Sequence, residues 1–154
     1  MKEKLKGWLA GIIFRLIALL TLGQISPLLG TGIILEQDGK VLFVERADGL
    51  GYALPGGIVR YKETIEHCIL REAYEETGYT AQITGLVGVY SSHERDPRFR
   101  AVAIVYKGIV LDGSLRASRE GRPFWGVPTD VFGKMAFDNE TIVKDYLSGQ
   151  QHFS

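Results

Sequence analysis

Length, composition and charge set the first limits on this protein. The chain has 154 residues, 45% of them hydrophobic, so it can bury one real core and leaves no room for a second folded domain. Eighteen basic and eighteen acidic side chains give a formal net charge of zero, so no global field draws the protein to nucleic acid. We therefore expect no specific nucleic-acid binding.

Residues 1–27 form an apolar leader ahead of a domain predicted for residues 28–154. Residues 7–23 carry one charge, Arg15, and are close to the lower length limit for a transmembrane helix. An arginine at the centre of a span costs about 2.5 to 3.5 kcal/mol on insertion scales, which argues against a span or a signal peptide without removing either alternative. Apolar side chains recur at helical spacing: Leu5, Trp8, Leu9, Ile12, Ile13, Leu16 and Leu20.

This apolar stripe suits a helix that lies against a membrane surface, against the domain or against a second subunit. We expect membrane-surface contact or a homodimer through residues 5–22, and a leader that is peripheral to catalysis. The single cysteine, Cys68, cannot form an internal disulfide and is predicted to be a small buried side chain. A cytoplasmic protein follows, with attachment to the inner face of the membrane as one alternative.

The remainder of the chain has the pattern of mixed strands and helices. The segment "TGIILEQDGKVLFVER" predicts a hairpin that turns at Asp38-Gly39. Two more strands are predicted in "YTAQITGLVGVYSS" and "RAVAIVYKGIVL", joined by the polar "HERDPRF". A last helix is predicted from about Asp138 to Leu147, capped by Asp138 or Asn139 and closed by Gly149.

Between the two strand pairs, a helix predicted for residues 64–77 carries three glutamates within five residues. Thr64 can cap its start and Gly78 can end it. Glu72, Glu75 and Glu76 share an arc of this helix, and Arg71 is the one cation along the helix that is spaced to pair with them. One arginine cannot balance three carboxylates, so we expect an external cation to do so.

A hard divalent ion, Mg²⁺ or Mn²⁺, fits such a cluster because it prefers carboxylate oxygens and keeps open positions for water and phosphate. Zinc is disfavoured, since the three histidines show no spacing typical of a zinc site. Upstream, "LPGG" provides a Pro-fixed bend and two glycines, Gly56 and Gly57, that let the backbone approach a ligand closely.

Gly57, then five residues, Glu63, then seven, then "REAYEETGY" from Arg71 to Tyr79 resembles the complete signature of the Nudix hydrolases. The match covers 23 residues and every defining position is filled. The resemblance implies an α/β/α sandwich around a mixed β-sheet, and hydrolysis of a nucleoside diphosphate linked to another group.

Carried over residue by residue, the resemblance implies that Glu72, Glu75 and Glu76 bind the metal together with the Gly57 carbonyl. It also implies that Arg71 and Glu63 orient that set. The general base is a motif glutamate or an acid on a later loop. Glu120, in "ASREGRPFW", is the best candidate outside the motif, and a solvated loop residue is the alternative.

Substrate choice must come from outside the shared motif. In "HERDPRFR", Arg95 and Arg98 are candidates to bind phosphate or ribose oxygens, for which the guanidinium fork is suited. A polar loop kept soluble by charge is the alternative. Arg46, Gly56 and Gly57 complete the substrate-binding candidates.

The loop and the tail "FWGVPTDVFGKMAFDNETIV" are also similar to the ADP-ribose pyrophosphatase-like branch, where an Ala-Phe-Asp stretch opens the final helix. Trp125 is predicted to be a core residue, with stacking on a base as the alternative.

Three functions therefore stay open. The leading interpretation is an enzyme that cleaves ADP-ribose or a related nucleotide sugar. The second is an enzyme that removes unwanted nucleoside triphosphates, or pyrophosphate from RNA 5′ ends. The third is a sensor of nucleotide sugars without catalysis, which the intact motif disfavours.

Overall fold

The computed structural model of the protein describes residues 2–21, 27–150 and 152–153. The elements run in chain order: α1 (Lys2–Leu20), β1 (Leu28–Gln37), β2 (Lys40–Arg46), β3 (Tyr52–Ala53), β4 (Gly56–Ile58), α2 (Ile65–Thr77), β5 (Tyr79–Tyr90), β6 (Ala101–Gly113), β7 (Gly121–Gly126), α3 (Pro128–Val131), α4 (Asn139–Ser148) and β8 (His152–Phe153).

Strand β1 is the centre of a mixed sheet. It pairs antiparallel with β2 and β4 and parallel with β6, so three strands are anchored on it directly. Beyond β6 the sheet continues through antiparallel β5 to parallel β8. On the other side β2 pairs antiparallel with both β3 and β7.

Alternate residues of β1 face opposite layers of helix, as the period of two in a strand requires. Ile33 and Leu35 pack with Ile69 of α2 in one buried cluster. Ile34 packs in a second cluster with Val143 of α4. The sheet is thus covered by helices on both faces, which confirms the predicted α/β/α sandwich around a mixed β-sheet.

The predicted hairpin and the glutamate helix are confirmed. Asp38 and Gly39 have φ of 51° and 72°, the positive values that a tight hairpin turn needs at both central positions. The Thr64 side chain accepts a hydrogen bond from the backbone N–H of His67, and Gly78 ends α2 at φ 84°. Cys68 is fully buried, as predicted.

The final helix ends at Gly149 as predicted, with φ 70° there, but the capping at its start differs from the prediction. Asp138 stands at the cap position without a capping side-chain hydrogen bond, since its carboxylate accepts from Arg95 at 2.9 and 3.0 Å. The Asn139 side chain accepts from the Leu54 backbone N–H and donates to the Ala136 carbonyl. Asp138 is thus the N-cap residue as predicted, but the usual capping hydrogen bond is missing because tertiary contacts use both side chains.

Strands β3, β4 and β7 have no counterpart in the prediction. They are short, and β7 contains Pro123, which is tolerated because the strand lies at an edge of the sheet beside β2. Gly56 and Gly57, predicted as part of a bend, instead pair with Gly32 and Thr31 of β1.

The predicted leader helix is present as α1, and none of the helices in the described ranges is long and apolar enough to cross a membrane. The predicted stripe faces away from the domain. Its described side chains are mostly exposed: Trp8 63%, Leu9 52%, Ile13 51%, Leu16 53% and Leu20 81%. The predicted boundary between the leader and the domain lies after residue 27. Residues 22–26 just before it lie outside the described ranges, so this boundary stays a prediction.

Candidate active site

The last turns of α2 bring two of the three predicted glutamates out of solvent. Glu72 is 8% exposed and Glu76 is 7% exposed, although both are acidic. Glu75 stays at the surface, with 49% of its side chain exposed. Buried carboxylates need compensation, because burial penalises the charged form.

Arg71 supplies part of that compensation. Its guanidinium donates two hydrogen bonds to Glu63 at 2.7 and 2.9 Å, one to Glu72 at 2.6 Å and one to Glu75 at 3.1 Å. The paired guanidinium lowers the pKa of Glu63 to about 2, so Glu63 stays ionised. The structure therefore brings Arg71 and Glu63 together as an ion pair that fixes one side of the glutamate cluster.

Glu76 is compensated less well. Its carboxylate accepts a hydrogen bond from the Gly56 backbone N–H at 2.9 Å. The pKa of Glu76 is raised to about 8, mainly by burial; the Gly56 hydrogen bond opposes the rise, and repulsion from Glu120 and Glu72 adds to it. Burial also raises the pKa of Glu72, against the opposing effect of Arg71. Among the described residues, Glu76 thus has a backbone hydrogen bond but no ion pair, whereas Glu72 pairs with Arg71.

Gly57 lies directly against Glu72. A Cβ atom at position 57 would stand 2.5 Å from both Cδ and Oε1 of Glu72, which is far inside contact distance. Only glycine lets β4 and the Glu72 carboxylate approach this closely. The motif glycine and the motif glutamate are therefore neighbours in space across 15 residues of sequence.

The oxygen-rich character of this cluster fits a hard divalent cation. Glu72, Glu76 and Glu120 repel one another, and a cation between such carboxylates relieves that repulsion. Within residues 2–21, 27–150 and 152–153, no three acidic, imidazole or thiol side chains already converge in a metal-ligand arrangement. Arg71 holds one oxygen of Glu72 and one of Glu75, and the second oxygen of each carboxylate lies outside these hydrogen bonds.

Glu120, the candidate base from outside the motif, lies beside the glutamates of α2. It interacts electrostatically with both Glu72 and Glu76. The loop that carries it is fixed by β-type contacts, since the Glu120 carbonyl accepts from the Ala47 backbone N–H at 2.8 Å. The structure thus brings Glu120 to the cluster from a position 44 residues after Glu76 in the chain.

The glutamates and the candidate arginines share one cavity of about 440 Å³. Its walls include the predicted residues Arg46, Gly56, Gly57, Glu72, Arg95, Arg98 and Glu120. A second cavity of about 250 Å³ is lined by Glu76 and shares Arg46, Gly56 and Glu120 with the first. Carboxylates for a metal and guanidinium groups for phosphate therefore border the same space.

Each cavity arginine is held by an aspartate that the sequence did not assign to the site. Arg98 donates to Asp96 through Nε and Nη2, and Arg95 donates to Asp138 in the same bidentate way. Arg46 pairs with Asp48. For Arg46 and Arg98 a signal exists, because each aspartate stands two residues from its arginine. The Arg95 partner is 43 residues away, and no local pattern indicates it.

Phe137 was also missed. Its ring lies 5.1 Å from the Arg46 guanidinium carbon and 4.5 Å from that of Arg98, so two arginines stack on one aromatic ring. Its φ of 56° is rare for a bulky residue and is a strained conformation of the kind that clusters at functional sites. The Ala-Phe-Asp stretch was the available signal.

Trp125 does not line either of these cavities. It packs against the cluster around Ile69, with its ring centroid 6.0 Å from that of Tyr79. This position agrees with the predicted core residue and not with stacking on a base.

Comparison with known proteins decides the family. The family model described as NUDIX domain matches residues 27–145, which is most of the chain.

The chain belongs to the Nudix family.

The ADP-ribose pyrophosphatase of Methanocaldococcus jannaschii is 37% identical over 126 residues, covering 80% of this chain and 75% of that protein. A Bacillus subtilis protein, provisionally named 8-oxo-dGTP diphosphatase, is 34% identical over 121 residues, covering 77% and 78%. The crystal structure of an ADP-ribose pyrophosphatase from Streptococcus suis has the same fold, with a TM-score of 0.69 at 21% identity, covering 84% of this chain and all of that one.

Membership fixes the general chemistry of this Nudix protein. It is a pyrophosphohydrolase, and Nudix hydrolases use divalent metal ions. The complete Gly57–Tyr79 motif lies at the point where α2, β4 and the Glu120 loop meet. The cluster described above is thus the candidate catalytic centre of the enzyme.

Proposed function

We propose that this Nudix hydrolase cleaves the diphosphate of ADP-ribose or of a closely related nucleotide sugar. The observation that carries the proposal is the shared cavity, which is bordered by Glu72, by Glu120 and by three arginines. The 37% identical ADP-ribose pyrophosphatase supports the same substrate class. In the reaction a water oxygen bonds to one phosphorus, the bridging P–O bond breaks, and a nucleoside monophosphate and a sugar phosphate leave.

We assign Glu72, Glu75, Glu76 and the Gly57 carbonyl as the oxygen donors for a divalent cation, Mg²⁺ or Mn²⁺. When bound, such an ion neutralises phosphate charge and makes water more acidic. The protein then orients the donors: Arg71 with Glu63 fixes the side of Glu72 and Glu75, and the Gly56 backbone N–H fixes Glu76.

Glu120 is proposed to accept the proton from the attacking water. It borders both cavities and lies on a separate loop from the motif. If Glu120 takes the proton, all the proposed oxygen donors can therefore stay on the metal. A motif glutamate is the alternative acceptor. In a Glu120→Gln variant we expect kcat to fall and the affinity for the cation to stay; an unchanged kcat would assign the proton to a motif glutamate.

The arginines are proposed to bind the diphosphate and the distal ribose. Asp96 and Asp138 hold Arg98 and Arg95 through bidentate bonds, and this fixes the guanidinium planes at the cavity wall. Preformed groups bind a ligand at lower entropic cost than mobile ones.

The decisive experiment is a substrate panel with the purified protein and Mg²⁺ or Mn²⁺. It compares ADP-ribose, other nucleotide sugars, dinucleotides and nucleoside triphosphates by kcat/KM. We expect the highest kcat/KM for ADP-ribose or a nucleotide sugar. A nucleoside triphosphate well above every diphosphate-linked compound would favour the second candidate, the removal of unwanted nucleotides, for which the Bacillus subtilis relative is the supporting observation.

The outward stripe of α1 supports a further proposal about partners. Its exposed side chains, among them Trp8 and Leu20, would be buried by a membrane surface or by a second copy of the chain. Sedimentation with anionic vesicles and a native mass measurement separate the two. A protein that has the mass of a monomer and does not sediment with the vesicles would contradict both the membrane contact and the dimer. Localisation in the cytoplasm stays a prediction.

A further inference from the structure

Helix α1 presents a second face, which contacts the domain and differs from its exposed stripe. Gly11 is buried and Phe14 is half-buried, whereas Leu19 and Leu20 at the end of the helix are exposed. Leu16 is about 200° around the helix from Phe14 and is 53% exposed. The face towards the domain is therefore defined by Gly11, Phe14 and Arg15, and the outer face by the apolar stripe.

All three residues of the inner face contact one short segment, residues 97–99. Arg15 donates from Nη2 to the Pro97 carbonyl at 3.1 Å. The Phe14 ring lies 5.8 Å from the Phe99 ring, between centroids. A Cβ atom on Gly11 would stand 2.9 Å from the Arg98 carbonyl oxygen, so helix and loop backbones are in direct contact. Arg15, the one charge of residues 7–23, is thus used to bind the domain.

The contacted segment is part of the cavity wall. Arg98 and Phe99 both line the large cavity that also contains Glu72. The Arg98 guanidinium stacks on the Phe99 ring at 5.0 Å and on the Phe137 ring at 4.5 Å. A continuous series of contacts therefore runs from Phe14 through Phe99 to Arg98 at the cavity.

Residues 91–100 connect β5 to β6 without helix or strand of their own. An irregular segment must be ordered before its side chains can bind a ligand, and that ordering costs conformational entropy. Contacts that already order the segment in the free protein remove this cost. The three contacts from α1 act on the segment that carries Arg95 and Arg98.

We propose that α1 is a positioning element for the substrate cavity, and that Gly11, Phe14 and Arg15 hold the 95–99 loop in its binding conformation. This rests on the proposed role of the loop in binding the diphosphate sugar. It departs from the expectation that the leader is peripheral to catalysis. The helix acts on substrate affinity and leaves the glutamate cluster, which it does not touch among the described contacts, unchanged.

The first test is Phe14→Ala in the full chain, with Leu16→Ala as the matched control on the opposite face of the same helix. Phe14→Ala removes the ring contact with Phe99, so we expect KM to rise about fivefold or more with kcat within about twofold of wild type. Leu16→Ala removes a similar apolar side chain from the exposed face, and both constants should stay as in wild type.

A second variant, Gly11→Ala, guards against simple loss of the helix. Alanine favours a helix more than glycine does, yet its Cβ collides with the Arg98 carbonyl, so the helix or the loop must shift. We expect KM to rise as in Phe14→Ala. Phe14→Leu, which keeps an apolar side chain of similar reach, should recover part of the affinity.

Hydrogen exchange of the backbone amides of residues 91–100 tests the proposal without any substrate. Exchange should be faster in Phe14→Ala and Gly11→Ala than in wild type and Leu16→Ala. The kinetic arm uses whichever compound has the highest kcat/KM in the substrate panel, so a failure of the ADP-ribose assignment does not decide it. Unchanged exchange in this segment together with KM within twofold of wild type in both variants would overturn the proposal.

Discussion

The glutamate helix and the 91–100 loop border one cavity, but they are fixed in different ways. Helix α2 is defined by signals within its own sequence, with the Thr64 cap and the left-handed Gly78 at its two ends. Arg71 reaches Glu72 and Glu75 within a few residues of itself. The loop contains a local pair, Arg98 with Asp96, but its place on the domain is set by distant residues. It depends on Asp138, 43 residues after Arg95, and on Arg15, 82 residues before Pro97.

This difference separates the residues that are expected to set turnover from those that are expected to set substrate affinity. The three candidate glutamate donors are local, because the same short segment both forms helix α2 and carries them. The substrate-binding wall is assembled from distant segments, so it can change without disturbing the centre. Variants in the two regions should therefore separate turnover from affinity.

The largest effect is expected for Glu76→Gln. The change keeps the size of the side chain and removes one charge from the donor set, so kcat should fall by about two to three orders of magnitude while the fold persists. Circular dichroism and steady-state kinetics at saturating Mg²⁺ check both parts. Turnover close to wild type would show that α2 does not carry the catalytic metal.

Gly57→Ala is expected to have the next largest effect. The added Cβ would stand 2.5 Å from the Glu72 carboxylate, so Glu72 must move while the surrounding core stays packed. Because misplacement of a catalytic group by about 1 Å can cost a hundredfold, we expect kcat to fall by about that factor. Steady-state kinetics at saturating Mg²⁺ measures the loss, and a kcat within about twofold of wild type would contradict this role of the Gly57–Glu72 contact.

A smaller effect, on affinity, is expected in the loop. Arg98→Ala removes a charged hydrogen-bonding group proposed to contact the diphosphate sugar, which corresponds to about 1.5 to 3 kcal/mol, or about ten- to a hundredfold in kcat/KM. The loss should be larger for ADP-ribose than for a nucleoside triphosphate. An equal loss for both would remove the loop from substrate selection.

The smallest effect concerns stability without metal. The pKa of Glu76 is about 8 in the folded protein and 4.5 ordinarily, so between these values the folded state holds a proton that the unfolded state has lost. The free energy of unfolding should therefore fall as pH rises from about 5 to 8. Thermal unfolding in the presence of a chelator measures this as a decreasing Tm.

Glu76→Gln should flatten that pH dependence, because the variant has no proton to lose at this position. Mg²⁺ should also reduce it, since a cation favours the ionised carboxylate. Identical pH profiles for wild type and variant would mean that another group is responsible for the loss of stability.

The same contrast explains how much the sequence predicted. The hairpin, α2 and the motif were found because turn residues, caps and glutamate spacing act over a few positions. Glu120 was named as a candidate because the family resemblance implied an acid on a later loop. Phe137 and Asp138 were not assigned to the cavity, because their roles arise only when α4 packs beside the loop.

The leader illustrates the same limit. Its helical period was visible in the sequence. Three surfaces were expected to cover the apolar stripe, and contact with the domain was one of them. That alternative is wrong, because the stripe is exposed and the opposite face contacts the domain. The inner face is made by Gly11, Phe14 and Arg15, and hydrophobicity does not identify a glycine or an arginine as contact residues. A glycine at a close backbone approach can be recognised as a contact residue only when the segment that it contacts is known.

The most direct test of the separation is a titration of Mn²⁺ into wild type, Glu76→Gln and Arg98→Ala, read by electron paramagnetic resonance. We predict that Glu76→Gln binds Mn²⁺ much more weakly, and that Arg98→Ala binds it as wild type does despite its lower kcat/KM for ADP-ribose. Equal weakening of Mn²⁺ binding in the two variants would contradict the account. It would mean that the metal site and the substrate-binding arginines of the same cavity cannot be changed separately.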